Sequence, residues 1–148
     1  MQPIDAKQLA WTLMREHGLV GWSFAFDHAR RRFGCCRIGK KQITLSRPLV
    51  LLNSIEQVRD TLLHEIAHAL TPGDGHSARW KRKCIEIGAN PRRCYAESEV
   101  ISPPRGPARY LLRCPRCQWE VRRRRRPSRR LICRLCRGPI QLAERMQA

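Results

Sequence analysis

Two histidines four residues apart, with a glutamate beside the first, constrain most tightly what this chain can fold into. His64, Glu65 and His68 form an H-E-x-x-H pattern within a segment whose apolar residues recur at helical spacing over residues 55–70. On a helix, positions four apart lie about 40° apart around the axis and one turn along it, so both imidazoles can reach one metal ion. Glu65 is displaced around the helix, where it can act on a water molecule without binding the metal. The pattern predicts a zinc-binding helix with Glu65 as a catalytic base.

The ends of this helix are encoded locally. Ser54 and Gln57 have the spacing of a capping box, in which each side chain bonds the backbone N–H of the other residue. A Pro-Gly pair at positions 72 and 73 ends the helix. The face predicted to pack against a core consists of Ile55, Val58, Leu62, Ile66 and Ala69.

A catalytic zinc site requires a third protein ligand, because such sites combine three protein ligands with one open position. His76 follows His68 across a turn that contains one proline and two glycines, which let the chain fold back toward the metal. The metzincin pattern would place a histidine at position 74, where this chain has Asp74. Glu86 is the alternative ligand, but the position of His76 at the end of a glycine turn favours the histidine.

The other segments of the first hundred residues predict further helices and a small sheet. Helical periodicity covers residues 6–17 and continues, after Ser77 as an N-cap, in a helix that ends near Ile87. The basic segment at residues 28–33 is predicted to form a short helix or turn. A largely antiparallel sheet of three strands is predicted from residues 21–27, 35–38 and 41–46.

Four cysteines of this region lack the spacing of a metal site. Cys35 and Cys36 are adjacent, so on a strand they face opposite sides and are predicted to be packing residues. Cys84 and Cys94 have no histidine or CxxC partner nearby and are predicted to be buried thiols. Trp80 and Ile85 are predicted to pack the last helix against the domain.

A second region begins where the composition changes. The sequence SPPRGP marks a linker, and residues 104–148 contain fourteen arginines against two acidic residues, a net charge of +12. The preceding residues carry 16 basic and 10 acidic groups, so the whole chain reaches +18. We therefore predict a first domain at 1–101, a linker at 102–108 and an arginine-rich domain at 109–148. The clustered charge predicts a polyanionic partner, for which nucleic acid is the default.

Four cysteines of this second region have the spacing C-x2-C-x15-C-x2-C, which is typical of a tetrahedral zinc site. Four thiolates leave no open position, so the predicted ion is structural. The surrounding segments ARYLLR, QWEVRR, RRLI and GPIQLA predict the two hairpins of a zinc ribbon. The predicted ligands are Cys114, Cys117, Cys133 and Cys136.

An arginine run lies between the two cysteine pairs, and its mutual repulsion predicts an exposed loop or hairpin tip. Guanidinium groups bind phosphates in a bidentate manner, and the run contains no aromatic residue, so contacts with the DNA backbone are favoured over base recognition. Tyr110 and Trp119 are the nearest aromatic residues, and each is equally well explained as ribbon core. The predicted nucleic-acid-binding residues are Arg122, Arg123, Arg124, Arg125, Arg126, Arg129 and Arg130.

The run TLLHEIAHALTPGDGHSARWKRKC, preceded by RFGCCRIGKKQITLS, resembles the SprT-like (Spartan) metalloprotease family, with motifs in the same order over roughly residues 5–140. The resemblance implies an α+β zincin-type domain of helices and a short three-stranded sheet, followed by a zinc ribbon. It implies His64, His68 and His76 as zinc ligands and Glu65 as the catalytic base, with Trp80 at the aromatic position after the third histidine. This chain departs from the family in Ser77, where glycine is frequent, and in the short segment before the third histidine.

For function, the resemblance implies a zinc-dependent endopeptidase that cleaves proteins bound or crosslinked to DNA, as in the repair of DNA–protein crosslinks. Together the two ligand sets predict two zinc ions, one catalytic and one structural. One alternative is a non-catalytic DNA-binding adaptor, against which the intact Glu65 argues because a scaffold does not need the base. Another is a general peptidase whose ribbon binds protein or RNA, which the charge distribution disfavours.

The compartment follows from what the sequence lacks. No apolar run approaches the roughly 18–20 residues that span a bilayer, and the first residues lack the basic start and apolar stretch of a secretory signal. We therefore expect no membrane partner and an intracellular location, cytoplasmic or nucleoid-associated, or nuclear in a eukaryote. In a reducing compartment, paired cysteines indicate metal sites rather than disulfides.

Overall fold

The structure is a computed structural model that describes residues 1–92, 99–104 and 106–145. The chain divides into two compact units, Met1–Pro103 and Pro104–Ala148. Helices and a small sheet form the first unit and strands alone form the described part of the second, so the predicted α+β class is confirmed. No helix in the described part of the chain is long and apolar enough to cross a membrane. The predicted buried thiol Cys94 lies outside the described residues.

The first unit contains four α-helices, one 3-10 turn and three strands within its described residues. The elements are α1 (Pro3–Glu16), β1 (Ser23–Asp27), β2 (Gly34–Arg37), the 3-10 turn (Ile38–Lys40), β3 (Gln42–Ser46), α2 (Arg47–Leu52), α3 (Ile55–Leu70) and α4 (Ala78–Glu86). Helix α1 begins with a proline at its first position, where the absent N–H costs nothing. Helices α2, α3 and α4 are each preceded by a serine whose hydroxyl accepts a hydrogen bond from the backbone N–H three residues on.

The sheet is mixed, and the prediction of a largely antiparallel sheet was wrong. Its order is β1-β3-β2, in which β3 pairs with β1 in parallel and with β2 antiparallel. The chain leaves β1, crosses to the far edge of the sheet through residues 28–33, and returns as the central strand β3. These crossing residues form an irregular loop rather than the predicted short helix or turn. Four of the five residues of β3 are buried, as expected of a central strand covered on both faces.

Polar contacts at the end of β1 hold the crossing loop. Asp27 accepts bonds from the backbone N–H of Ala29 at 2.9 Å, from the hydroxyl of Thr44 at 2.9 Å and from the guanidinium of Arg32 at 2.6 Å. The hydroxyl of Ser46 donates to the carbonyl oxygen of Ala29. Because the loop is fixed on both sides, the edge strand β2 that follows it has a defined position beside α3.

Helix α3 matches its prediction closely and packs through the core of the first unit. Its capping box is complete, with Ser54 and Gln57 bonded to each other's backbone N–H. Most of its predicted apolar face is buried, but Ile55 is exposed because the first turn extends beyond the core. On α4, Trp80 and Cys84 are fully buried as predicted, whereas Ile85 lies on the outer face and is exposed, so its predicted packing role was wrong.

The described residues of the second unit contain four strands: β4 (Tyr110–Arg113), β5 (Glu120–Arg123), β6 (Leu131–Ile132) and β7 (Pro139–Arg145). They form one sheet of order β5-β4-β7-β6. Two cysteine turns have the same hydrogen bonds: the N–H of Gln118 donates to the carbonyl of Cys114, and that of Arg137 to the carbonyl of Cys133. Gln118 and Arg137 also share a left-handed backbone, with φ of 58° and 57°.

Candidate metal centres and cleft

Three histidine side chains converge in the first unit. Nε2 of His76 lies 3.3 Å from Nε2 of His68 and 3.4 Å from Nε2 of His64. Each of the three residues offers a ring nitrogen, and these atoms all lie within 4.8 Å of one another. The structure therefore brings together the three histidines that the sequence singled out.

Trp80 lies against all three rings. Its ring centroid is 4.8 Å from that of His64, 5.1 Å from that of His68 and 4.6 Å from that of His76. Its plane is 24° from that of His68, so these two rings stack, and the indole is fully buried. Trp80 thus restricts the orientation of every histidine in the cluster, which accounts for an aromatic residue at this position.

Two of the three histidines, His64 and His68, are held in their neutral form. Burial, together with the electrostatic effect of the neighbouring histidines, lowers the pKa of His64 and of His68 to about 4. At neutral pH these rings are therefore uncharged, and each retains a nitrogen lone pair that can bind a cation.

The turn before the third histidine makes this convergence possible. Gly73 and Gly75 have φ values of +85° and +57°, in the left-handed region that favours glycine. Asp74 between them forms an ion pair of 3.1 Å with Arg79 on α4. The alternative ligand Glu86 is paired with a lysine instead, is largely exposed, and does not belong to the cluster.

Glu65 lies in the same cleft and is only 8% exposed. Burial raises the pKa of its carboxyl to about 7, while a hydrogen bond from the backbone N–H of Cys36 and the charge of Arg32 oppose this shift in part. A carboxyl with a pKa near neutrality can both accept and return a proton, which suits a general base.

The cleft encloses about 600 Å³ and is lined by the edge strand β2 as well as by α3 and the histidine turn. Strand β2 approaches the glutamate closely at Gly34, where a Cβ atom would lie 2.7 Å from Cγ and 2.8 Å from Oε1 of Glu65. Sequence analysis missed Gly34, because its role depends on which strand lies beside α3. Cys35 and Cys36 line this cleft and are only half-buried, so their prediction as packing residues was wrong.

The second unit contains the second cluster, formed by the four predicted cysteines. Their sulfur atoms lie within 4.8 Å of one another, with 3.6 Å between those of Cys114 and Cys136. Backbone N–H groups of Cys117 and Gly138 point to Sγ of Cys114 and Cys136, both at 3.4 Å. The indole N–H of Trp119 donates to Sγ of Cys133 at 3.0 Å. This role for Trp119 was not predicted.

The electrostatics of this cluster differ from one sulfur to the next. Hydrogen bonds from the backbone N–H of Cys136 and the indole of Trp119 lower the pKa of Cys133 to about 6. The hydrogen bond between Cys117 and Cys136 raises the pKa of Cys117 to about 12. Four sulfurs at these distances can all become thiolates only with a cation among them, because the negative charges repel one another.

The predicted arginines of the second unit are all exposed. Arg122 and Arg123 belong to strand β5, whereas the others lie in the connection between β5 and β6. Two of the seven arginines therefore lie in a strand and five in a loop, so the run is not a loop throughout. Three of the loop arginines also line a smaller cavity of about 300 Å³ with an apolar floor, namely Arg126, Arg129 and Arg130.

Taken together, an α+β domain with an H-E-x-x-H helix and a third histidine facing one cleft has the architecture of a metallopeptidase. The family model described as the SprT-like family matches residues 6–99. Because this match covers most of the chain, the chain belongs to the SprT-like family, and the resemblance inferred from its motifs is confirmed. Residues 104–148, with the four-cysteine cluster, lie beyond the matched region.

Among solved structures, the chain is similar to the crystal structure of the metallopeptidase zymogen of Methanocaldococcus jannaschii jannalysin. The TM-score is 0.49 at 13% sequence identity, and the similarity covers 64% of this chain and 85% of that one.

Proposed function

We propose that this protein is a zinc-dependent endopeptidase that cleaves proteins bound or crosslinked to DNA. The convergence of three histidine nitrogens beside the buried carboxyl of Glu65, in one open cleft, carries the peptidase part of this proposal. Membership of the SprT-like family supports it independently.

The histidine cluster fits zinc. With Zn–N bonds of about 2.0–2.1 Å and tetrahedral angles, two ligand nitrogens lie roughly 3.3–3.4 Å apart. The measured separations of 3.3 and 3.4 Å agree with this value. His64, His68 and His76 would hold the ion, and three ligands leave a fourth position open to the cleft. Zinc supplies Lewis acidity, which polarises a peptide carbonyl and makes water acidic.

The residues of the chain carry the proton transfers. Glu65 accepts a proton from the attacking water and passes it to the nitrogen of the departing amine. Its burial and its bond from the Cys36 N–H fix the carboxylate toward the cleft. The close approach of Gly34 limits where that carboxylate can move, and Trp80 limits the rotation of the histidine rings.

The proposal is tested by replacing Glu65 with glutamine. The amide preserves the shape of the side chain but cannot take up the proton, so we expect a loss of kcat on the order of 10²–10⁴. Zinc content, measured on the same preparation, should be unchanged. Glu86→Gln is the matched control, because Glu86 is an exposed glutamate outside the cleft. Turnover near the wild-type rate in Glu65→Gln would refute the assignment of the base.

We further propose that a second, structural zinc ion stabilises the second unit, which directs the enzyme to DNA. For two thiolates on one tetrahedral zinc, Zn–S bonds of about 2.3 Å require roughly 3.7–3.8 Å between the sulfurs. The 3.6 Å between Cys114 and Cys136 is consistent with this requirement. Seven exposed arginines on the connected strand and loop support phosphate contacts, since guanidinium groups match phosphate geometry.

Targeting is tested by changing Arg122–Arg126 to glutamine and measuring DNA affinity as a function of salt. If each of these five residues contacts one phosphate of duplex DNA, the magnitude of the slope of log K against log salt should decrease by up to about 4.5. The matched control neutralises five exposed basic residues of the first unit: Lys7, Arg15, Arg59, Lys81 and Arg82. Cleavage of a DNA-bound protein should decrease only in the first variant, and hydrolysis of a short free peptide in neither.

The alternatives give different outcomes in the same experiments. A non-catalytic adaptor would bind DNA and hydrolyse no peptide, with or without Glu65. A general peptidase would cleave free and DNA-bound substrates equally, and RNA or protein would compete for the second unit better than DNA does.

A further inference from the structure

A short irregular segment, Glu99–Ser102, lies along the catalytic cleft of the first unit. Val100 and Ser102 line the cleft together with Leu49 of α2 and residues of α3, the helix that carries His64, Glu65 and His68. Sequence analysis assigned Ser102 to the linker and gave the residues before it no role; we call this segment the strap. The strap contributes no residue to the histidine cluster, but two of its side chains line the cleft where a substrate would bind.

The strap is fixed by the buried side chain of Asn53. Nδ2 of Asn53 donates to the carbonyl oxygen of Ile101, and Oδ1 accepts from the N–H of Ile101, both at 2.8 Å. The second Nδ2 hydrogen donates to the carbonyl oxygen of Leu49 at 2.7 Å. One amide thus binds both backbone groups of Ile101, as a neighbouring β-strand would.

A second attachment links the strap to the start of helix α3. The side chain of Gln57, which also closes the capping box, donates to the carbonyl oxygen of Glu99. Glu99 itself pairs with Arg92 at 2.9 Å. The strap therefore has a fixed position relative to the helix that carries His64 and Glu65.

Val100 and Ser102 belong to the cleft lining, whereas Ile101 between them does not and is 62% exposed. Ser102 is also exposed, so its side chain can be changed without disturbing the core.

The charges in the cleft are unequal. Among its described lining residues, the charged side chains are Arg31, Arg32 and Glu65. Glu65 is committed to proton transfer, and Arg32 is paired with Asp27. The surface offered to substrate side chains is therefore cationic at Arg31 on the loop before β2 (the arginine loop) and uncharged at Val100 and Ser102 of the strap.

We propose that the strap is a substrate-binding wall of the cleft, in which Ser102 determines which side chains beside the scissile bond are accepted. This inference rests on the proposed peptidase function. With a neutral serine on the strap, the arginine loop sets a preference for acidic side chains. A charge introduced at position 102 changes that preference in the direction of its sign.

The test compares Ser102→Glu and Ser102→Lys with the matched pair Ile101→Glu and Ile101→Lys. The substrates are peptides that differ only in having Glu, Gln or Lys at successive positions around the scissile bond. At one of these positions, Ser102→Glu should raise kcat/KM for the Lys peptide relative to the Glu peptide by about fivefold. Ser102→Lys should change the same ratio by a similar factor in the opposite direction. The Ile101 variants, whose charge lies outside the cleft, should leave the ratio unchanged.

A second readout does not require turnover. In the Glu65→Gln background, the affinities of the same peptides, measured by fluorescence anisotropy, should follow the same order. A general disturbance of the fold would change the ratio of affinities for the Lys and Glu peptides in the same direction in both Ser102 variants, so opposite changes identify a contact.

If the Ser102 and Ile101 pairs behave alike while the wild type cleaves peptides, the strap inference is overturned and the peptidase function stands. If the wild type hydrolyses none of the peptides at any zinc concentration, the peptidase proposal fails and the strap inference fails with it.

Discussion

The two candidate metal clusters of this chain differ in how much hydrophobic core surrounds them. In the first unit, the histidines project from a helix and a turn that are anchored in a core of eighteen buried residues, none of them a histidine. In the second unit, the buried hydrophobic residues are Leu112, Cys114 and Cys133 within the described part, so two of the three are metal-binding candidates. The first unit therefore has a hydrophobic core that positions a candidate metal site, whereas in the second unit the candidate metal ligands form most of the buried hydrophobic residues.

This difference has a thermodynamic consequence. Helix α3 has its own caps and a buried face, so the spacing of His64 and His68 exists before any metal is bound. A unit of 45 residues buries too little apolar surface to offset its conformational entropy without a further constraint. The proposed zinc ion of the second unit would therefore contribute folding free energy, whereas the proposed ion of the first unit would contribute chemistry.

The largest expected effect comes from removing one ligand in each unit. Cys133→Ser should unfold the second unit, because structural zinc supplies about 10–16 kcal/mol of apparent binding free energy in small metal-dependent domains. His68→Ala should abolish peptidase activity but leave the first unit folded. Hydrogen exchange followed by mass spectrometry reports on both units in one sample: protection should be lost over residues 106–145 in the first variant and retained over residues 55–70 in the second.

Chelation provides the control for this comparison. A strong chelator should reproduce both phenotypes in the wild-type chain, and zinc should reverse them. Loss of protection in α3 on chelation, to the same degree as in the strands of the second unit, would show that both clusters are structural and would remove the contrast between them.

Much of this organisation was predictable because it is local in sequence. A ligand spacing of four on a helix, a capping box of Ser54 and Gln57, and two CxxC pairs depend only on residues near one another. His76 could also be predicted as the third histidine of the cluster, because Gly73 and Gly75 before it permit the left-handed φ values that the turn adopts.

The features that were missed depend on contacts between distant segments. Alternation of apolar residues identifies a strand but does not say that β3 lies between β1 and β2, so the parallel pairing was missed. The same limitation hid Gly34, whose value lies in its distance from Glu65, and Asn53, whose partner Ile101 is 48 residues away. Helix α2 was missed because it is only six residues long and gives too short a periodic signal.

A smaller effect is expected from Gly34→Ala, which should displace the Glu65 carboxylate without changing the proposed zinc ligands. Gly34→Ala places a methyl group 2.7 Å from Cγ of Glu65 and 2.9 Å from Cγ2 of Thr61, in a region with little room to adjust. We expect a destabilisation of about 1–3 kcal/mol and a marked loss of kcat, with zinc content unchanged, because the glutamate moves and the histidines do not.

Gly138→Ala is the counterpart in the second unit. There the nearest atom, at 2.9 Å, belongs to the flexible side chain of Arg116, which can move aside, although Sγ of Cys136 lies at 3.3 Å. Thermal unfolding and kcat should both change less than in Gly34→Ala. Equal kcat in Gly34→Ala and the wild type would mean that the position of Glu65 tolerates displacement, and that the close approach of β2 has no catalytic role.

The smallest expected effect tests whether the first unit owes its stability to ordinary contacts. Burial raises the pKa of Asp27, but hydrogen bonds from the N–H of Ala29, the hydroxyl of Thr44 and the guanidinium of Arg32 outweigh it and hold the pKa below its ordinary value of 3.8. A carboxyl with a lowered pKa in the folded state adds stability above its unfolded pKa, and that stability is lost as pH falls through the folded value. Asp27→Asn should therefore lower the free energy of unfolding of the first unit by about 1 kcal/mol at pH 7, and by less near pH 3.

Arg32 is 50% exposed, so water screens its contribution to this stabilisation, which should disappear in high salt, while the hydrogen bonds from Ala29 and Thr44 remain. Denaturant unfolding monitored by hydrogen exchange over residues 1–92 measures the difference in free energy of unfolding between the wild type and Asp27→Asn. Residues 106–145 provide the internal control. If this difference in free energy of unfolding instead increases as pH falls, the stabilisation comes from the protonated carboxyl of Asp27 and the prediction is wrong.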